Sequence, residues 1–131
     1  METLTEIYRR TEAEQRLYEE AAVDCIAREF SKLFYEPDKR KFEGNRVTVG
    51  LTLEFLKNVV LEVNYLPHSV DLSDRFFRSR SLLQDFRFRL HRFFTERGED
   101  LETIVIDNNP LSIYEGSELS VTVEIAAQTE E

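Results

Sequence analysis

Residues 46–65 read RVTVGLTLEFLKNVVLEVNY, and apolar side chains fall on every second position in two runs: Val47, Val49, Leu51, Leu53 and Phe55, then Val59, Leu61, Val63 and Tyr65. Alternation with a period of two marks strands that bury one face. Leu56, Lys57 and Asn58 interrupt the row, and Asn tolerates turn geometry, so the stretch predicts a β-hairpin. In that register Thr48, Thr52 and Glu62 face away from the core, and the rest of the chain must cover the apolar side.

Upstream, Thr3 and Glu6 have the spacing of a capping box, which predicts a helix start. From Leu17 the apolar positions Leu17, Tyr18, Ala21, Ala22, Cys25, Ile26, Phe30, Leu33 and Phe34 recur at three- and four-residue steps, as in a helix packed on a sheet. The first part of this helix, residues 1–16, is less amphipathic and is expected to project beyond the core. Glu12, Glu14, Glu19, Glu20 and Glu29 read as a solvated acidic face in preference to an acidic docking surface. Pro37 disfavours helical geometry before it, so the helix should stop near Glu36. Residues 38–45 read as a charged connector. Lys39, Arg40 and Lys41 lie near Gly44, but the glycine spacing of a phosphate-binding loop is missing.

Downstream, residues 66–69 (LPHS) break the strand, and Ser69 or Asp71 is placed to cap a second helix over residues 72–97. Projected at about 100° per residue, this helix has a core stripe of Leu72, Phe76, Leu83, Phe86, Leu90, Phe93 and Phe94. Phe77 and Phe88 fall nearly opposite that stripe, with Arg78, Arg89 and Arg92 on one edge and Arg80, Arg87 and His91 toward the other. Either the first helix or the C-terminal segment wraps over this side and buries it, or, since aromatic residues and Arg are enriched where proteins meet proteins, Phe77, Phe88, Arg78, Arg89 and Arg92 are the candidate interface residues. Arg on phosphate and Phe on bases is the nucleic-acid alternative, and Asp74, Asp85 and Glu96 weigh against it.

Gly98 stands where a helix C-cap glycine belongs. Thr103, Ile104, Val105 and Ile106 then read as a strand covered on both sides. Residues 111–114, a turn over Glu115, Gly116, Ser117 and Glu118, and the alternating Leu119, Val121, Val123 and Ile125 predict a further hairpin. Asp107, Asn108 and Asn109 fit an Asx turn better than a cation site. Residues 128–131 should fray.

A chain of 131 residues with 41% hydrophobic content is sized for one domain with its own core. The fold class expected is α+β, a mainly antiparallel sheet of two hairpins plus one strand, packed by two long helices in the order α-β-β-α-β-β-β. The single Cys25 cannot form an internal bridge and reads as core filling, and His68 as a turn residue, since neither has a partner motif for nucleophilic or metal chemistry. A net charge of −9 opposes a general grip on nucleic acid. No apolar run reaches the ~20 residues of a membrane span. Residues 1–10 are charged where a signal peptide would be apolar, so a cytoplasmic protein, or a component assembled into a virion, is expected. No catalytic residue, cofactor or metal site and no small-molecule substrate is expected. The leading expectation is a non-enzymatic structural or assembly subunit with a protein partner, as a homo-oligomer or larger assembly. Fold-level analogy points to head-tail joining, neck or tail-completion proteins of phages and viruses. The alternatives are a cytoplasmic adaptor or chaperone-like binding module, and a nucleic-acid-binding protein using the Arg/Phe face of the second helix.

Overall fold

A computed structural model of the chain describes residues 1–63, 75–108 and 117–126. In chain order the elements are α1 (Leu4–Leu33), β1 (Arg40–Glu43), β2 (Arg46–Leu51), α2 (Leu53–Val63), α3 (Arg80–Glu96), β3 (Leu101–Asp107) and β4 (Leu119–Ile125). The strands form one antiparallel sheet in the order β1-β2-β4-β3. The chain is thus an α+β protein with a four-stranded antiparallel sheet.

The first half of the decisive stretch is a strand, with Val47, Val49 and Leu51 buried on one face. The second half is a helix, which corrects the expected hairpin over residues 46–65. Thr52 starts it: its hydroxyl accepts from the Phe55 N–H at 3.0 Å and its carbonyl from the Leu56 N–H at 3.1 Å. Leu56 and Val59, three apart, are buried, while Lys57 and Asn58 are exposed. The segment LEFLKNVVLEV is so densely apolar that it satisfies both periods. Residues 64–74, and with them Tyr65, His68, Ser69, Asp71, Leu72 and Asp74, lie outside the described residues.

The partner of β2 is instead β1, within the stretch expected to be a connector. Arg40 pairs with Val49, Lys41 with Thr48, Phe42 with Val47 and Glu43 with Arg46. That leaves a two-residue turn at Gly44 and Asn45, with Gly44 at φ 63°. A positive φ at the first turn position matches the twist of the flanking strands and is open to glycine without strain. Across the centre of the sheet, Val47, Val49 and Leu51 face Val123, Val121 and Leu119. Ile104 and Ile106 continue this inner face. β3 is an edge strand covered on one side only, with Thr103 and Val105 exposed, which corrects the expectation of cover on both sides. Of the expected second hairpin, β4 is present; residues 109–116 and the tail beyond Ala126 lie outside the described residues.

Helix α1 begins with the capping box: Thr3 Oγ1 accepts from the Glu6 N–H at 3.1 Å, and Glu6 Oε2 accepts from the Thr3 N–H at 3.3 Å. Its buried residues run from Tyr18 to Ser31, so residues 4–17 extend past the core for about 20 Å. Leu17 and Ala21, expected in the stripe, are exposed, and Val23 and Ala27 are buried. Helix α3 is shorter than the expected residues 72–97. Residues 75–76 are helical, Phe77 and Arg78 turn, and Ser79 caps a new helix by accepting from the Leu82 N–H at 3.3 Å. The far end carries a Schellman arrangement: the Glu99 N–H reaches the Phe94 carbonyl and the Gly98 N–H the Thr95 carbonyl, with Gly98 at φ 87°.

The three helices cover the inner face and share one core with it. Phe30 on α1 meets Phe34, Phe55 of α2 and Phe86 of α3 at ring-centroid distances of 5.5, 5.8 and 5.7 Å, and Phe86 meets Phe76 at 5.4 Å. Edge-on and tilted contacts of this kind add about 0.5–1.5 kcal/mol per pair beyond area burial.

Two outcomes follow. Phe30→Ala should lower unfolding free energy by about 3–5 kcal/mol in chemical denaturation, because a fully buried ring is removed from the junction of three helices. Asn58→Pro distinguishes helix from hairpin. In the middle of α2 it should cost about 3 kcal/mol, whereas a turn residue between strands would accept it with little loss.

Candidate functional surfaces

The arginines of α3 sort onto two sides of the helix. On the side toward α1, Asp24 collects three guanidinium groups: Arg28 at 2.7 Å, Arg89 at 3.0 Å and Arg92 at 3.2 Å. Arg89 also bonds Asp85 at 3.0 Å. Burial lowers the Arg89 pKa, and the hydrogen bonds that its guanidinium donates to Asp24 and Asp85 more than offset it, so the net direction is upward and Arg89 stays charged. Arg28 and Arg92 both lie over the Phe93 ring, at 5.6 and 5.5 Å. Arg89 and Arg92 therefore join α1 to α3 within the chain.

The opposite side of α3 faces the edge strand β3. Phe77, Arg78, Arg80, Leu83, Gln84 and Arg87 line a depression of about 460 Å³ with Ile106, Asn108 and Leu119. A second one of about 300 Å³ shares Gln84 and Arg87 and is completed by Phe88, His91, Glu102, Thr103 and Ile104. Together they form a groove along α3 and β3. Among the described residues, no carboxylate lies within ion-pair distance of Arg78, Arg80 or Arg87. The groove is therefore a local basic face on an acidic chain.

The five candidate interface residues consequently do not share one surface. Phe77 and Phe88 do not lie on one continuous helix, because the chain turns at Phe77 and Arg78 before α3 begins. Phe77 is half-buried and stacks edge-on against Phe76 at 5.6 Å. Phe88 is 69% exposed on α3. Arg78 belongs with the groove, while Arg89 and Arg92 belong to the α1 seam. Arg80, Arg87 and His91 lie on the other edge of the core stripe, as the helical period predicts, and are not among the five candidates. The cue that separates the two sets is local: Asp85 and Glu96 sit four residues from Arg89 and Arg92, and no acid sits so on the Arg80–Arg87 side.

Two further surfaces stand out among the described residues. The outer face of the sheet is a shallow hollow of about 430 Å³ lined by Lys41, Glu43, Arg46, Thr48, Val105, Asp107, Ser120, Thr122 and Glu124. Arg46 pairs with Glu124 at 2.7 Å and the Thr48 and Thr122 hydroxyls lie 2.9 Å apart, the mutually satisfied pattern of a solvated sheet face. The other is the projecting half of α1, where Leu4, Tyr8 and Leu17 are 85%, 63% and 67% exposed. Among the described residues, no group of three or more His, Cys, Asp or Glu side chains is placed to hold a metal ion, and no helix is long and apolar enough to cross a membrane.

Compared with protein-family models, curated proteins and solved structures, the chain matches none.

The Asp24 seam gives a direct test. Asp24→Asn should destabilise the chain by about 1–3 kcal/mol, because three guanidinium groups lose a shared charge-assisted acceptor. A double-mutant cycle of Asp24→Asn with Arg89→Gln, followed by urea denaturation, should return a coupling of about 0.5 kcal/mol or more.

Proposed function

We propose that the protein is a non-catalytic assembly subunit that acts through protein–protein contacts, with the projecting half of α1 packing against another copy of the chain. One observation carries this reading. Leu4, Tyr8, Thr11, Gln15, Tyr18, Ala22 and Ile26 follow one another at steps of three or four residues, so a single stripe runs the length of α1. From Tyr18 onward it is buried in the core, Gln15 is half-buried, and Leu4, Tyr8 and Thr11 are in solvent.

An isolated helix of about 14 residues is marginal in water, and local pairs add only tenths of a kcal/mol each. Here they include the capping box, an Arg10–Glu2 ion pair, Tyr8 with Glu12 at 3.2 Å and Gln15 with Glu19 at 3.4 Å. A second copy laid against the stripe would cover Leu4 and Tyr8 and supply the missing tertiary packing. A ring or collar, of the kind that joins parts of a virion, is the form of assembly this reading favours.

Light scattering behind a sizing column provides the test. The wild-type mass should exceed the 15.5 kDa of one chain and fall on dilution. Leu4→Ser with Tyr8→Ser should bring it to one chain while leaving a cooperative melt, since neither residue belongs to the core. A wild type of single-chain mass at every concentration contradicts the proposal.

A further inference from the structure

We propose that the groove between α3 and the open edge of β3 takes an extended acidic peptide segment of a partner protein, which adds to the sheet as a fifth strand with its carboxylates on Arg78, Arg80 and Arg87. The inference goes beyond self-association through α1, since a chain that remained monomeric could still bind at this groove.

Three features converge there. β3 is the terminal strand of the sheet, and among the described residues nothing pairs with its outer side, so alternate backbone N–H and C=O groups are available as a template. The strand is seven residues long, about 23 Å, enough to register a partner strand. Helix α3 runs beside that edge and presents Arg80 and Arg87 seven residues apart, about 10 Å along its axis. Successive same-face side chains of an extended strand stand roughly 6.8 Å apart, so acids at alternate positions fall within reach of long guanidinium side chains. Phe88, exposed on the rim beside Arg87, would cover an apolar residue of the same segment.

Charge and the strand edge together select the occupant. Guanidinium groups without an ion pair among the described residues favour carboxylates, which they can bind through two parallel hydrogen bonds. Glu102 beside Arg87, Asp107 at the end of β3 and the overall charge of −9 oppose a nucleic-acid strand and an acidic peptide alike, so the strand edge, which pairs with a peptide backbone and not with a sugar-phosphate one, decides between them. A polyphosphate also gains nothing from the strand edge, whose spacing matches peptide amides.

Fluorescence anisotropy with the full chain tests this, using a labelled peptide of about ten residues that alternates glutamate and valine. Controls are the same peptide with lysine for glutamate, the same with proline at alternate positions, and a labelled oligothymidylate. Saturable binding of the Glu/Val peptide is expected, weakened at least about tenfold by Arg80→Glu with Arg87→Glu, by the lysine peptide and by the proline peptide. The charge-reversed variant should melt like the wild type, since both side chains are exposed and without an ion pair among the described residues. No saturable binding, equal binding of the proline peptide, no effect of charge reversal, or tighter binding of oligothymidylate would each overturn the proposal.

Discussion

The packing of Phe30 holds the three helices in one body. Its ring is fully buried and touches Phe34, Phe55 and Phe86, so one side chain of α1 contacts both other helices, and Phe86 passes the contact on to Phe76. Aromatic rings stacked edge-on are poorly replaced by smaller groups, because a void at a three-way junction cannot be filled by moving one wall alone. The orientation of α3 follows from this junction together with the Asp24 seam. With Phe86 and Leu90 inward and Arg89 and Arg92 drawn toward Asp24, the remaining arc of the helix, carrying Arg80, Arg87 and Phe88, is turned toward β3.

How much of this was legible in the sequence depended on whether the signal was local. The inward faces of β2 and β4 were legible because Val47, Val49, Leu51, Leu119, Val121 and Val123 alternate and only one face is covered, whereas their pairing with each other across the sheet was not. The capping box of α1 and the Gly98 cap of α3 were likewise local chemistry, correctly placed. Helix α2 was misread because its apolar residues are too dense to choose a period; the hydroxyl of Thr52 at its start was the cue that decides. β1 carried no hydrophobic pattern, since RKFE is a mostly exposed edge strand, and only Gly44 followed by Asn45 marked it. The break before α3 lay in Ser79, a cap in the middle of an otherwise helical pattern.

The surfaces were legible in part for the same reason. That α3 carries both a core stripe and a face of Arg and Phe is a matter of helical period. Which arginines are neutralised is local only in part: Asp85 and Glu96 stand four residues from Arg89 and Arg92, but Asp24, which binds both, lies 65 residues from Arg89 in the chain. Tertiary pairing ties Arg89 and Arg92 to the α1 seam, while Arg78, Arg80 and Arg87 make no ion pair among the described residues. Phe77, which the period placed outside, turns in with Phe76 once the helix is interrupted.

The central claim is that the exposed part of the α1 stripe is covered by another copy of the chain. Amide hydrogen exchange of the full chain at high and low protein concentration reads this segment by segment. The account predicts slow exchange across residues 4–17 at high concentration and rapid exchange there on dilution, with residues 18–33 protected throughout. Rapid exchange of residues 4–17 at every concentration, beside a protected second half of α1, would contradict it.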